Sequence, residues 1–146
     1  MDVSTAIDLL SNAELKQLAI KDDKVAILGY INSGILEIYK RFNLWEDEAI
    51  INMVLGVLIY DLDGVDVNVT IDLSDHEFLM IEEIYDQAGL LLTLNDQMDT
   101  FGASTPKYNR IELFQETAGE TLSVIYRAAP LFLTHEKSNN PVTSAI

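Results

Sequence analysis

The chain has 146 residues, nearly half of them apolar, and no cysteine, so it is long enough to bury a core and excludes disulfides, thiolate zinc sites and cysteine nucleophiles. Its formal net charge of −15 is uneven: between Arg41 and Lys107 there is no Lys or Arg but fourteen Asp and Glu, while the other ten acids nearly balance the nine basic residues. Such a middle has no cations to replace phosphate counterions and repels nucleic acid; it reads as a solvated acidic face, with a surface that faces DNA without sticking to it and a calcium-binding surface as the alternatives.

At the N-terminus, MDVSTAIDLL lacks the basic start and unbroken apolar run of a signal peptide. Residues 4–10 read as a short helix with Ala6, Ile7, Leu9 and Leu10 apolar. The Ser11-Asn12-Ala13-Glu14 capping box starts a second helix carrying Leu15, Leu18 and Ala19. Asp22-Asp23 starts a third, expected over residues 23–42. Here Leu28, Ile31, Ile35, Ile38 and Phe42 recur three and four apart and form one stripe that needs a partner. A second face, with Ala26, Gly29 and Ser33, is small enough for another helix to approach; equally, Gly29 and Gly34 read as merely tolerated, each at about 1 kcal/mol against Ala.

Residues 49–60 are apolar and β-branched around Gly56 and are expected to form two short strands, with a helix over 46–55 as the alternative. They are too short to span a bilayer, which takes about 20 apolar residues. Residues 68–73 alternate as a strand, and Ser74-Asp75-His76-Glu77 has capping-box spacing for one helical turn with His76 at the surface. Residues 79–85 and 90–94 flank Asp86-Gln87-Ala88-Gly89 as a hairpin. Residues 95–108, with Gly102 and Pro106, are expected to be a surface loop anchored by Phe101 and Tyr108. Residues 110–130 alternate through Ile111 and Leu113, then through Leu122, Val124 and Tyr126, across a turn at residues 116–120. That pattern predicts a second hairpin. The expectation is therefore an α+β chain: one domain over 1–146, with a helical part over 1–45, a mainly antiparallel β-rich part over 46–135 and a short tail over 136–146.

Catalytic signals are sparse. Asp61-Leu62-Asp63-Gly64 after an apolar strand resembles the first motif of haloacid-dehalogenase-like phosphohydrolases, but only Lys107 and Lys137 follow it as lysines and the surroundings lack βαβ units. The bland reading is an acidic surface turn. As an EF-hand the stretch fails, because the glycine comes two residues early and Asp72 stands where the glutamate belongs. His76 and His135 have no metal-ligand spacing, and there is no nucleophile elbow or phosphate loop. The sequence predicts no enzyme, no metal and no cofactor.

Several stretches together resemble the head-to-tail adaptor (connector) proteins of tailed bacteriophages. They are residues 23–32 (DKVAILGYIN) with 38–42 (IYKRF), Ile84-Tyr85-Asp86 with Gly89, Leu94-Asn95-Asp96, residues 106–111, and Val124-Ile125-Tyr126-Arg127-Ala128-Ala129-Pro130. The resemblance spans roughly residues 15–135. It implies a structural virion protein of the head-tail neck, made in the host cytoplasm and assembled as a homo-oligomeric, usually dodecameric ring. Such a ring docks on the portal protein and receives the next tail, nozzle or tail-completion component while DNA passes through without specific binding. Under that resemblance the acidic middle becomes the wall of a like-charged channel. Adaptors of this family commonly continue into C-terminal helices, whereas this chain ends at Ile146. Either that tail is missing from this sequence, or residues 3–20 and a neighbouring copy cover the stripe. Tyr39, Lys40, Arg41, Phe42 and Trp45 form the expected subunit or portal contact, because interfaces favour aromatics and arginine. Phe42 and Trp45 equally suit closing the core. The alternative function is an acidic, non-enzymatic protein-binding module.

Overall fold

The structure is a computed structural model that describes residues 5, 7–9, 23–116 and 119–133. The chain forms two compact units: one made of Met1–Arg41 and Pro130–Ile146, the other of Phe42–Ala129. The second is thus inserted into the first, and the boundaries fall at 41 and 130 where the sequence suggested 45 and 135.

In the first unit, helix α1 spans Lys24–Arg41. Asp23 caps it: its carboxylate accepts from the Ala26 amide at 3.1 Å, and its carbonyl accepts the Ile27 amide at 3.0 Å. Ile27 and Leu28 are buried with Ile7, and Ile31 and Leu133 pack against them. The expected stripe is covered only in part. Leu28 is buried, Ile31 and Ile35 are half-buried, and Ile38 and Phe42 are exposed. Among the described residues, Ile7 and Leu133 pack with Ile27, Leu28 and Ile31 in the first half of α1, and the helix ends before Phe42. Asn32 fastens that cover. Its Nδ2 donates to the Leu133 carbonyl at 2.9 Å and its Oδ1 accepts the Leu133 amide at 2.8 Å, the pairing a neighbouring strand would give. The expected set of long N-terminal helices is not borne out. Thr5 and residues 7–9 are helical, α1 is the one long helix among the described residues, and the Ser11–Glu14 capping signal lies outside them.

The described residues form seven strands, all in the second unit but for the last residue of β7: β1 (Glu46–Asn52), β2 (Ile59–Asp61), β3 (Val69–Thr70), β4 (His76–Tyr85), β5 (Ala103–Lys107), β6 (Arg110–Leu113) and β7 (Thr121–Pro130). They form a four-stranded sheet ordered β3-β1-β7-β4 and a three-stranded sheet ordered β2-β6-β5. The pairs β1–β3, β1–β7, β2–β6 and β5–β6 are antiparallel, so the fold is α+β with mostly antiparallel sheets. Register places Ala49 opposite Val124 and Ile51 opposite Leu122. These join Tyr60, Ile111 and Leu113 of the other sheet in one core. Period-two alternation works as expected in β6, β7 and the second half of β1, which turn alternate side chains inward, while β4 and β5 do not alternate cleanly.

The pairing of the last two strands differs from expectation. Residues 110–130 do not form a hairpin, because β6 lies in the three-stranded sheet and β7 in the four-stranded one. The turn before β7 ties to the end of β1 instead, with Met53 N to Glu120 O at 2.9 Å and Gly119 N to Met53 O at 3.2 Å. Between β2 and β5 in its sheet, β6 forms its hairpin with β5, which lies inside the stretch expected to be a loop and joins it by a two-residue turn at Tyr108-Asn109. Pro106 fits there because β5 is an edge strand with irregular register between Ser104 and Lys107, so its missing N–H breaks no inner ladder. Phe101, expected to anchor the loop, is 74% exposed. Tyr108 is mostly exposed but meets Phe78 with ring centroids 6.1 Å apart. His76 and Glu77 begin β4, not a helical turn. The strand expected over 68–73 shortens to β3. Residues 46–55 hold β1, not a helix. The hairpin at residues 86–89 is present: Tyr85 bridges Leu91 and the Leu92 amide donates to the Ile84 carbonyl at 2.8 Å.

Candidate functional site

The five residues expected to make one contact surface are not alike. Tyr39 is only 4% exposed, and burial raises its phenol above the ordinary value. Lys40 and Arg41 end α1 at the surface, each 3.8 Å from the Glu37 carboxylate. That placement opposes the negative end of the helix dipole. Phe42 begins the second unit, 60% exposed. Trp45 packs against the β core, its ring 5.0 Å from the His76 imidazole. Trp45 is thus partly buried against the β core, and Tyr39 is buried. Lys40, Arg41 and Phe42 remain accessible.

Sequence reasoning missed His76 as a buried group. It is 2% exposed at the start of β4 and hydrogen-bonds across to β7. Its Nδ1 lies 2.6 Å from Asp75 Oδ1 and its Nε2 2.7 Å from the Tyr126 hydroxyl of β7. Asp47 Oδ2 of β1 stands 3.8 Å from Nε2. Asp47 and Tyr126 are register partners, so the pairing of β1 with β7 sets this group. A carboxylate only accepts, so Nδ1 carries a proton toward Asp75; in the neutral ring Nε2 then accepts the Tyr126 hydroxyl. Burial, with Asp47 and the other nearby acids, pushes the Tyr126 phenol far above its usual range, so it stays protonated and able to donate. The ring of Phe78 stacks on Tyr126 at 4.6 Å and closes the cluster. One sequence signal was available, namely that His76 falls in phase with the inward positions of a strand continuing to Phe78.

The acidic turn after β2 is built as a structural device. Arg110 grips both oxygens of Asp61, Nε to Oδ1 at 2.6 Å and Nη2 to Oδ2 at 2.7 Å. The two residues are register partners on β2 and β6. That forked hydrogen bond holds the Asp61 carboxyl below the usual carboxylate value. Asp63 turns its Oδ1 to the amides of Val65 and Asp66 at 2.9 and 3.2 Å, and Gly64 takes φ 78°. Among the described residues no group of three or more His, Asp or Glu is arranged to hold a metal ion. No helix among them is long and apolar enough to cross a membrane.

The charge divides with the units. Phe42–Ala129 contains seventeen acidic residues against Lys107, Arg110 and Arg127, while the rest of the chain is nearly balanced, seven against six. Both arginines of the β unit face its own carboxylates: Arg110 is held by Asp61, and Arg127 Nη2 lies 2.6 Å from Glu82. The arrangement defines an α+β chain with a strongly acidic β unit inserted into a small helical one. A comparison with known protein families finds no match, and a search of curated proteins finds none.

Proposed function

We propose that this chain is a head-to-tail adaptor of a tailed bacteriophage, a structural protein without catalysis. In this role copies form a homo-oligomeric ring, twelvefold by likeness to that family, at the neck of the virion. The ring sits below the portal protein, receives the next tail component and lets DNA pass. The observation that carries the reading is the acidic β unit, whose two arginines face its own carboxylates. Such a surface repels phosphate and lets DNA slide by it. The exposed end of α1 with Lys40 and Arg41 supports a docking role. The test is native mass measurement of the pure protein with and without a purified portal ring. Assembly on the portal supports the reading; a persistent monomer indifferent to portal refutes it.

A second reading, an acidic protein-binding module, draws on β4. This strand has ten residues and borders its sheet, so a partner strand has an edge to join. It is favoured if the protein stays monomeric and takes up an extended peptide.

A further inference from the structure

We infer that the segment following β7 is exchanged between copies of this chain, residues 131–133 of one filling the seat that Asn32 makes on α1 of the next. This rests on the homo-oligomeric part of the proposed function and names the contact that joins the copies. The seat belongs to one helix. Asn32 presents its side-chain amide as a peptide group would, Nδ2 donating to the Leu133 carbonyl at 2.9 Å and Oδ1 accepting the Leu133 amide at 2.8 Å. Leu133 and Ile31 pack on the cluster that holds Ile27 and Leu28 of the same helix.

Two features let another copy supply the segment. Both hydrogen bonds of Asn32 go to the main chain of Leu133, so the seat takes an extended backbone bearing one leucine side chain. It does not distinguish which copy that backbone comes from, and an identical segment from a neighbour makes the same contacts. The hinge is also short. Leu131 and Phe132 alone lie between Pro130, the last residue of β7, and the held Leu133. Short hinges leave little slack for folding back and invite exchange.

Charge allows the meeting. Residues 130–133 are uncharged, and they face Ile27, Leu28, Ile31 and Asn32, which are uncharged too. The acidic excess lies in the β unit, so this contact joins two copies without setting acid against acid at the seat. Segment and seat are different surfaces, so each copy gives one and receives one, the head-to-tail arrangement that closes into rings.

The test breaks the seat in one chain and the segment in another. Asn32→Leu keeps a helix-forming side chain of similar size and removes both hydrogen-bonding groups. Leu133→Pro removes the N–H that Asn32 Oδ1 accepts. Each is made in the intact chain and checked for native melting, with Trp45 fluorescence reporting the β unit. Asn32→Asp and Leu133→Asp stand in for a variant that melts early. In sedimentation the wild-type chain is expected to assemble, and each variant alone to remain monomeric. Mixed in equal amounts, the two variants form a one-to-one dimer and nothing larger. The intact segment of the Asn32→Leu chain fills the intact seat of the Leu133→Pro chain, and no second intact pair is left. A mixture that stays monomeric, or a variant that assembles alone as the wild type does, overturns the exchange and leaves the homo-oligomer standing. A wild-type chain that is monomeric at every concentration removes both.

Discussion

The buried imidazole of His76 and the phenol of Tyr126 make the most consequential side-chain pair in the β unit, since they span β4 and β7 and reach Asp47 on β1. Tyr126→Phe keeps the ring stacking on Phe78 but strands Nε2 without its partner. An unsatisfied buried acceptor costs about 1–3 kcal/mol, to be measured by urea unfolding followed through the fluorescence of Trp45. Asp61 gives a prediction in pH. Its folded value lies below the ordinary one, so the folded state favours the carboxylate more than the unfolded chain does. The stabilisation is complete above the usual carboxylate value of about 4 and fades as pH falls through the lower folded value. Asp61→Asn is therefore expected to flatten the acid limb of the stability profile, read by thermal melts from neutral to acidic pH. These two residues also show what sequence conceals. The Asp61-x-Asp63-Gly64 turn was legible as an acidic turn, because Asx geometry is local. The grip of Arg110 on Asp61 was not, because it depends on which strand lies beside β2. His76 looked like a surface cap for the same reason, since its partners Tyr126 and Asp47 are distant in sequence.

Among the elements, α1 was legible because its cap and its start are encoded within one turn, at Asp23. The strands were legible one by one, and their partners were not. Ile111 and Leu113 on one side, and Leu122, Val124 and Tyr126 on the other, turn inward to the same core from two different sheets. Alternation records which face of a strand is buried and carries no record of its neighbour, so a change of sheet and a hairpin give the same pattern. The strand β5 was hidden by Gly102 and Pro106, residues that ordinarily mark loops. Gly102 serves close approach: a Cβ there would sit 2.5 Å from the Thr93 carbonyl oxygen. That oxygen also accepts the Ala103 amide at 3.0 Å, so it has little room to retreat. Gly102→Ala is expected to lower stability by about 1–3 kcal/mol, with loss of amide-exchange protection at Ala103 as the local signature.

For the molecule as a whole, the division of charge outweighs its total. The helical unit is close to neutral, and the β unit holds almost the entire excess. Duplex DNA is therefore expected to show no binding in fluorescence anisotropy even at low salt, where phosphate contacts are strongest. Saturable binding at low salt would contradict the acidic-surface reading and with it the sliding channel. Composition alone predicted this behaviour, because counting acids along the chain needs no fold. The sequence did not reveal that the acidic stretch is a separate body let into a helical one, since that depends on Leu133 returning to Asn32.

That return has a consequence for engineering. The β unit leaves and rejoins its host through segments that lie side by side, the Ala128 amide bonding the Trp45 carbonyl at 2.9 Å. A body with neighbouring ends behaves as a cassette: it can be lifted out and the gap closed by a short glycine-serine bridge, with Asn32 and Leu133 still clasping what is left behind. Such a graft would let the two halves of the chain be interrogated apart, one for its hold on a neighbour and the other for its indifference to nucleic acid.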